Sequence, residues 1–113
     1  MVPNPDSYVL SFDVGTSSVK AVLVNTKGEV IGSSKASYPL YYPAPVQVEQ
    51  NPDEYWDGII ESTRKVFLET NCDKNKIIGM VFTTQAMGII PIDKEGKVLR
   101  NNISWVDGRA EKQ

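Results

Sequence analysis

The chain has no histidine among its 113 residues. Ser-His-Asp and Cys-His catalysis are therefore excluded, as is any His-ligated metal site. Acid–base or metal chemistry must use carboxylates, hydroxyls, lysines or backbone groups. A single cysteine, Cys72, rules out an internal disulfide and suits a reducing compartment. No apolar run approaches membrane-spanning length, and Met1 to Asp6 lacks the basic and apolar stretches of a secretory signal. These features predict a cytoplasmic protein with no membrane partner. The 12 basic and 14 acidic residues are interspersed and form no basic run. The clustered cations that displace counterions from nucleic acid are thus missing. The phosphate-loop pattern G-x-x-x-x-G-K-[ST] is absent too.

What is present is enough for a core. Hydrophobic residues make up 41% of the chain, and the length suits one domain or a piece of one. Tyr8 to Asp13 reads as a strand with Tyr8, Leu10 and Phe12 on one face. Gly15 to Ser18 reads as a turn. Val19 to Val24, apolar on both faces, reads as a central strand. After a turn at Asn25 to Glu29, Val30 to Tyr38 is more polar, as an edge strand would be. These three strands form an antiparallel meander. Pro39 to Pro45 is an apolar connection expected to pack on the domain.

Asn51, Pro52, Asp53 and Glu54 then mark a helix start, with Glu54 at the capping-box position. Trp56, Ile59, Ile60, Thr63, Val66 and Phe67 form its predicted apolar stripe. Ile77 to Thr83 reads as a fourth strand, parallel to a neighbour by a crossover. Ile89 to Ile92 and Val98-Leu99 flank a turn at Asp93 to Gly96, and Ile103 to Val106 reads as a last short strand. The expected fold is α/β: a mixed sheet with an antiparallel three-strand meander and one long helix. One helix cannot cover both faces of such a sheet, and Asp107 to Gln113 reads as the start of a further helix. Both features predict that 1–113 is part of a larger domain.

Three segments could carry chemistry. In Asp13-Val14-Gly15-Thr16-Ser17-Ser18-Val19-Lys20 an acidic residue ends an apolar strand, a glycine allows a tight turn, and three hydroxyls and a lysine follow. Such a turn can cradle phosphate oxygens, Asp13 can hold Mg²⁺ directly or through water, and Lys20 can supply a point charge. An ordinary hairpin turn has the same composition. Thr83-Thr84-Gln85-Ala86-Met87-Gly88 follows the fourth strand, where open α/β sheets bind ligands. The competing reading, which the segment favours when taken alone, is a polar turn with Met87 filling the core. Trp105-Val106-Asp107-Gly108-Arg109, if extended, sets an indole, a carboxylate and a guanidinium on one face as a sugar-binding wall. The competing reading is a buried tryptophan beside a local Asp107–Arg109 ion pair.

Taken in order, these segments resemble the N-terminal part of the FGGY family of carbohydrate kinases. Asp13 to Lys20 looks like the family's first phosphate motif. Val48-Glu49-Gln50-Asn51-Pro52 with Tyr55-Trp56 looks like its segment ahead of the first long helix. Gln85-Ala86-Met87-Gly88, the Asp93-to-Gly96 turn and Ile103 to Ala110 follow in order and approximate spacing. The wording around Trp105 is nearest the xylulose kinases.

The resemblance implies a ribonuclease-H-like (actin-like ATPase) fold, of which 1–113 is the N-terminal part of the first domain. It implies that Asp13, Gly15, Thr16, Ser17, Ser18 and Lys20 lie near the phosphates of ATP and Mg²⁺, with Thr16 near the transferred group. It implies that Gln85, Ala86, Met87, Trp105 and Asp107 line the side of a small sugar or polyol. The catalytic aspartate, the adenine pocket and the second domain are implied to lie outside 1–113, so the fragment is expected to be inactive alone. The full-length protein is expected to form a homo-oligomer.

Two departures bear on the substrate. Met87 stands where xylulose kinases resemble one another in having histidine, and Ala86-Met87 stands where glycerol kinases have Arg-Glu. Glycerol or gluconate kinase, another actin-like ATPase, and a non-enzymatic nucleotide-binding or interaction module are the alternatives.

Overall fold

The computed structural model describes residues 6–111. Alternation of apolar and polar side chains builds strands β1 (Tyr8–Val14), β2 (Ser18–Asn25) and β3 (Val30–Ser37) as an antiparallel meander. The β2–β3 turn is fixed by Asn25, whose Oδ1 accepts from the amides of Lys27 and Glu29, each at 2.9 Å. Gly28 supplies the positive φ of 83° that this turn needs. Strand β5 (Ile77–Thr84) lies parallel to β1, giving the order β3-β2-β1-β5 with the polar strand β3 at the edge.

Helix α1 (Pro52–Thr70) makes the crossover. Asn51 caps it, its Oδ1 accepting from Asp53 N at 3.0 Å, and Asn71 ends it in the left-handed region. The expected capping box is not made, since the Asn51 side chain takes the amide of Asp53 rather than that of Glu54. The Glu54 carboxylate accepts instead from the Tyr41 hydroxyl at 2.6 Å, which ties the proline-rich connection to the helix.

The face that α1 buries overlaps the predicted stripe only in part: Val66 is buried, and Ile59 and Phe67 pack half-buried against the core. Its buried residues are Gly58, Ser62 and Val66, while Trp56 is exposed. The physical reason is close approach over β2 and β3. A Cβ at Gly58 would stand 3.3 Å from Val19 Cγ2, and Ser34 Oγ donates to the Ser62 carbonyl at 2.6 Å. Small residues let the helix sit down on the sheet, with Ile59 and Phe67 packed half-buried beside them. The core beneath holds Leu10, Phe12, Val14, Val19, Ala21, Leu23, Tyr38 and Val66. Beyond the helix, Met80 and Phe82 of β5 stay exposed, with Phe82 stacked on Phe12 at 4.9 Å.

A second, two-stranded sheet pairs β4 (Glu49–Gln50) with β6 (Asn102–Ile103). The predicted hairpin around Asp93 to Gly96 exists as an isolated Ile92–Val98 bridge. The predicted strand Ile103 to Val106 is shorter than expected, because the backbone turns from Trp105 onward. Residues 107–111 form turns rather than the start of a helix, closed by Glu111 N donating to the Gly108 carbonyl at 3.1 Å. Positions 112–113 of that expected helix lie outside the described residues. Among the described residues no helix is long and apolar enough to cross a membrane.

Candidate active site

Adjacent parallel strands β1 and β5 end together, with Asp13 opposite Thr83 and Val14 opposite Thr84. Gln85 N donates to the Val14 carbonyl at 2.8 Å, which holds the start of the second polar segment against the first. A cavity of about 350 Å³ opens over this edge. It is lined by Asp13, Gly15 and Thr16 on one side and Thr84, Gln85, Ala86, Met87 and Trp105 on the other.

The turn after β1 is tied down from behind. Four successive carbonyls are engaged: Gly15 O by the Tyr38 hydroxyl, Thr16 O by Gln50 Nε2 at 2.7 Å, Ser17 O by Tyr38 N at 3.1 Å, and Ser18 O by Gly15 N at 2.9 Å. Among the described residues, the amides of Thr16 and Ser17 donate to no protein acceptor. A turn with its carbonyls drawn inward and amides left free suits oxyanions. Burial, with the nearby Tyr55 and Asp13, pushes the Tyr38 phenol up to about 12. Tyr38 is therefore a neutral, persistent donor to Gly15.

Trp105 joins the two sides. Its Nε1 donates to Thr16 Oγ1 at 2.9 Å, leaving the threonine's own proton free to point into the cavity. One face of the half-exposed indole lines the same cavity, and the ring also borders a second one of about 490 Å³ with Met87 and Ile103. The tryptophan is thus not buried. Met87 stands at a φ of 61°, unusual for a side chain with a Cβ, and is largely exposed where these cavities meet.

Asp107 faces elsewhere. Its Oδ1 accepts from Arg109 N and Nε at 2.9 and 2.8 Å, and its Oδ2 from Val48 N and Arg109 Nη2 at 2.6 and 2.7 Å. The segment turns rather than extending, yet Trp105, Asp107 and Arg109 all line the second cavity. The Arg109 guanidinium holds the Asp107 carboxyl well below the usual carboxylate range. Arg109 also reaches Glu49 at 2.9 Å, which Arg100 meets at 2.6 Å. Hydrogen bonding to Arg109 likewise lowers Glu49. Ser17, Ser18 and Lys20 do not line the first cavity; Lys20 pairs with Asp13 in the β1–β2 register.

Sequence reasoning gave no role to Gln50, Tyr38, Tyr55 or Asn102. Gln50 is fully buried, and its Oε1 accepts from Tyr55 Oη at 3.0 Å and Gln85 Nε2 at 3.1 Å. Asn102 Nδ2 donates to Tyr55 Oη at 2.8 Å. The available signal was a polar Glu49-Gln50 pair set between apolar Val48 and the helix cap.

Among the described residues no three His, Cys, Asp or Glu side chains cluster as a metal cage. The exposed Asp13 carboxylate beside a phosphate-suited turn fits Mg²⁺, which keeps several waters and binds through one or two carboxylates plus phosphates.

The family model for the N-terminal domain of the FGGY family of carbohydrate kinases matches residues 8–113. The chain belongs to the FGGY family of carbohydrate kinases. It is 39% identical over 105 residues to a gluconokinase from Bacillus licheniformis, covering 93% of this chain and 20% of that protein. It is 35% identical over 106 residues to a xylulose kinase from Bacillus subtilis, covering 94% and 21%. The crystal structure of a gluconate kinase from Lactobacillus acidophilus matches it with a TM-score of 0.81 at 26% identity, over 90% of this chain and 20% of that one. The chain therefore spans about a fifth of the length of the FGGY relatives it matches. Its fold is that of the actin-like ATPases, and the family is one of ATP-dependent kinases acting on sugars or polyols.

Proposed function

We propose that residues 1–113 are the N-terminal part of a cytoplasmic ATP-dependent kinase that transfers the γ-phosphoryl group to a hydroxyl of a ketose or polyol such as xylulose. The observation that carries this reading is the bond from Trp105 Nε1 to Thr16 Oγ1, which joins the phosphate-suited turn to the sugar-facing wall in one cavity.

In this reading the free amides of Thr16 and Ser17 take phosphate oxygens, and the Thr16 hydroxyl donates to the transferred group. Ser18 and Lys20 stand one step further along β2. Asp13 would hold Mg²⁺, directly or through water, and the ion would neutralise charge on the phosphates when bound. Gln85 and Trp105 orient the sugar, the indole against its carbons. Ala86 and Met87 offer it an apolar wall, and Asp107, bonded to Arg109, shapes the far rim. Catalysis of this kind rests on positioning and charge stabilisation. The base that takes the hydroxyl proton is proposed to lie in the remainder of the kinase, so the isolated chain transfers no phosphate at a useful rate.

The test is ADP production by the full-length protein on a panel of ketoses, polyols, gluconate and glycerol. Sugar-dependent turnover supports the reading, and the preferred compound names the substrate. No turnover on any of them, with nucleotide still bound, would replace it with a binding module.

A further inference from the structure

The buried amide of Gln50 touches both halves of the site and no solvent. One end donates to the Thr16 carbonyl at 2.7 Å, behind the phosphate-suited turn. The other end accepts from Tyr55 Oη at 3.0 Å and from Gln85 Nε2 at 3.1 Å, behind the sugar-facing strand end. Its orientation is fixed chemically, since a carbonyl needs the NH₂ end and two donors need the oxygen. Tyr55 is itself held by Asn102 across the second sheet. Gln50 has 0% exposure, so neither end can exchange its partner for water.

We propose that Gln50 is a positioning residue that couples the phosphate turn to the sugar-facing Gln85, so that a change at either side is felt at the other. The proposal rests on the kinase reading above for the identity of the two ligands. A glutamine merely filling space would leave the two sides independent.

The coupling is measured on the full-length protein by titrating MgADP into the wild type, Gln50→Met, Gln85→Ala and the double variant. Gln50→Met keeps the volume and removes both polar ends, and is expected to weaken MgADP roughly tenfold, as one buried hydrogen bond left unmade would. Gln85→Ala lies on the sugar side, yet is expected to weaken MgADP about threefold in the wild type and not at all in Gln50→Met, the signature of coupled sites. Tyr55→Phe removes one of the two donors to Gln50 Oε1 and leaves Gln50 and its bond from Gln85 in place. If Gln50→Met does not fold, Tyr55→Phe is expected to weaken MgADP by itself, by a factor that differs with and without Gln85→Ala, because both donors serve the same Gln50 oxygen.

Effects that multiply, or MgADP affinities within twofold of wild type in folded variants, overturn the proposal. Wild type that binds MgADP but turns over no sugar overturns the kinase reading alone, and the titrations still decide the role of Gln50. Wild type that binds no MgADP overturns both.

Discussion

Trp105 and Thr16, 89 positions apart in sequence, are joined by a single hydrogen bond of 2.9 Å from the indole nitrogen to the threonine hydroxyl. That bond uses an acceptor lone pair of Thr16 and orients its proton away from the indole, into the cavity that both residues line.

Trp105→Phe isolates the bond, because the ring surface remains while the donor is lost. One neutral hydrogen bond contributes about 1 kcal/mol, or roughly fivefold. Sugar phosphorylation by the full-length protein is expected to fall by that order in kcat/KM. Trp105→Ala also removes the apolar wall and is expected to lose at least about tenfold more. Steady-state kinetics with both substrates varied check this. Equal losses in the two variants would show that the ring itself contributes nothing.

Asp13→Asn tests the carboxylate proposed to hold Mg²⁺. The amide keeps the shape and a hydrogen-bonding oxygen but loses the charge. MgADP affinity is expected to drop by roughly tenfold or more, while affinity for metal-free ADP is unchanged or improved, since a negative charge near the phosphates has been removed. Calorimetric titration with and without Mg²⁺ checks the difference. Equal losses under both conditions would rule out a metal role for Asp13.

The meander, the crossover helix and the parallel β5 were legible because each is long enough to show its period. Asn51 and Pro52 marked the helix start plainly. The second sheet was not legible. Its strands are two residues each, too short for alternation, and their pairing joins Glu49 to Ile103 across nearly half the chain. The buried face of α1 follows hydrophobicity only in part, at Val66 with Ile59 and Phe67 beside it. Gly58 and Ser62 determine the contact by being small. In the site, Asp13, Thr16, Gln85 and Trp105 each stood out locally by residue type and position. Gln50, Tyr38 and Tyr55 act from behind them, and nothing in their local sequence announces a partner 23 to 35 positions away.

Arg109→Ala tests what holds the 104–109 turn. The guanidinium bonds Asp107 and Glu49 together, and both carboxyls titrate below their ordinary values because of it. A depressed carboxylate stabilises the fold above its unfolded pKa, and that contribution is lost as pH falls through the folded value. The wild type is therefore expected to lose stability on acidification below the ordinary carboxylate range. Arg109→Ala should melt lower at neutral pH and show a shallower acid dependence. Thermal unfolding across that range checks it. Parallel acid profiles for the two proteins would assign the acid lability to other groups.

Tyr38→Phe addresses the turn from its other side. The phenol donates to the Gly15 carbonyl, and its ring meets Tyr55 edge-on at 5.1 Å. Removing the hydroxyl leaves Gly15 O without that donor, a loss of roughly 1 kcal/mol. The ring contact remains, so the protein is expected to stay folded. The alkaline limb separates this bond from general packing. A phenol whose folded pKa is raised stabilises the protein fully below the unfolded value, and the contribution disappears as pH rises through the folded one. With Tyr38 pushed up to about 12 from an ordinary 10.0, wild-type stability is expected to fall across that interval. Tyr38→Phe has no proton to lose there and should lose less. If the two unfolding curves fall equally with rising pH, Tyr38 is not the neutral donor that fixes the turn after β1, and the orientation of the Thr16 and Ser17 amides must come from Gln50 and the backbone alone.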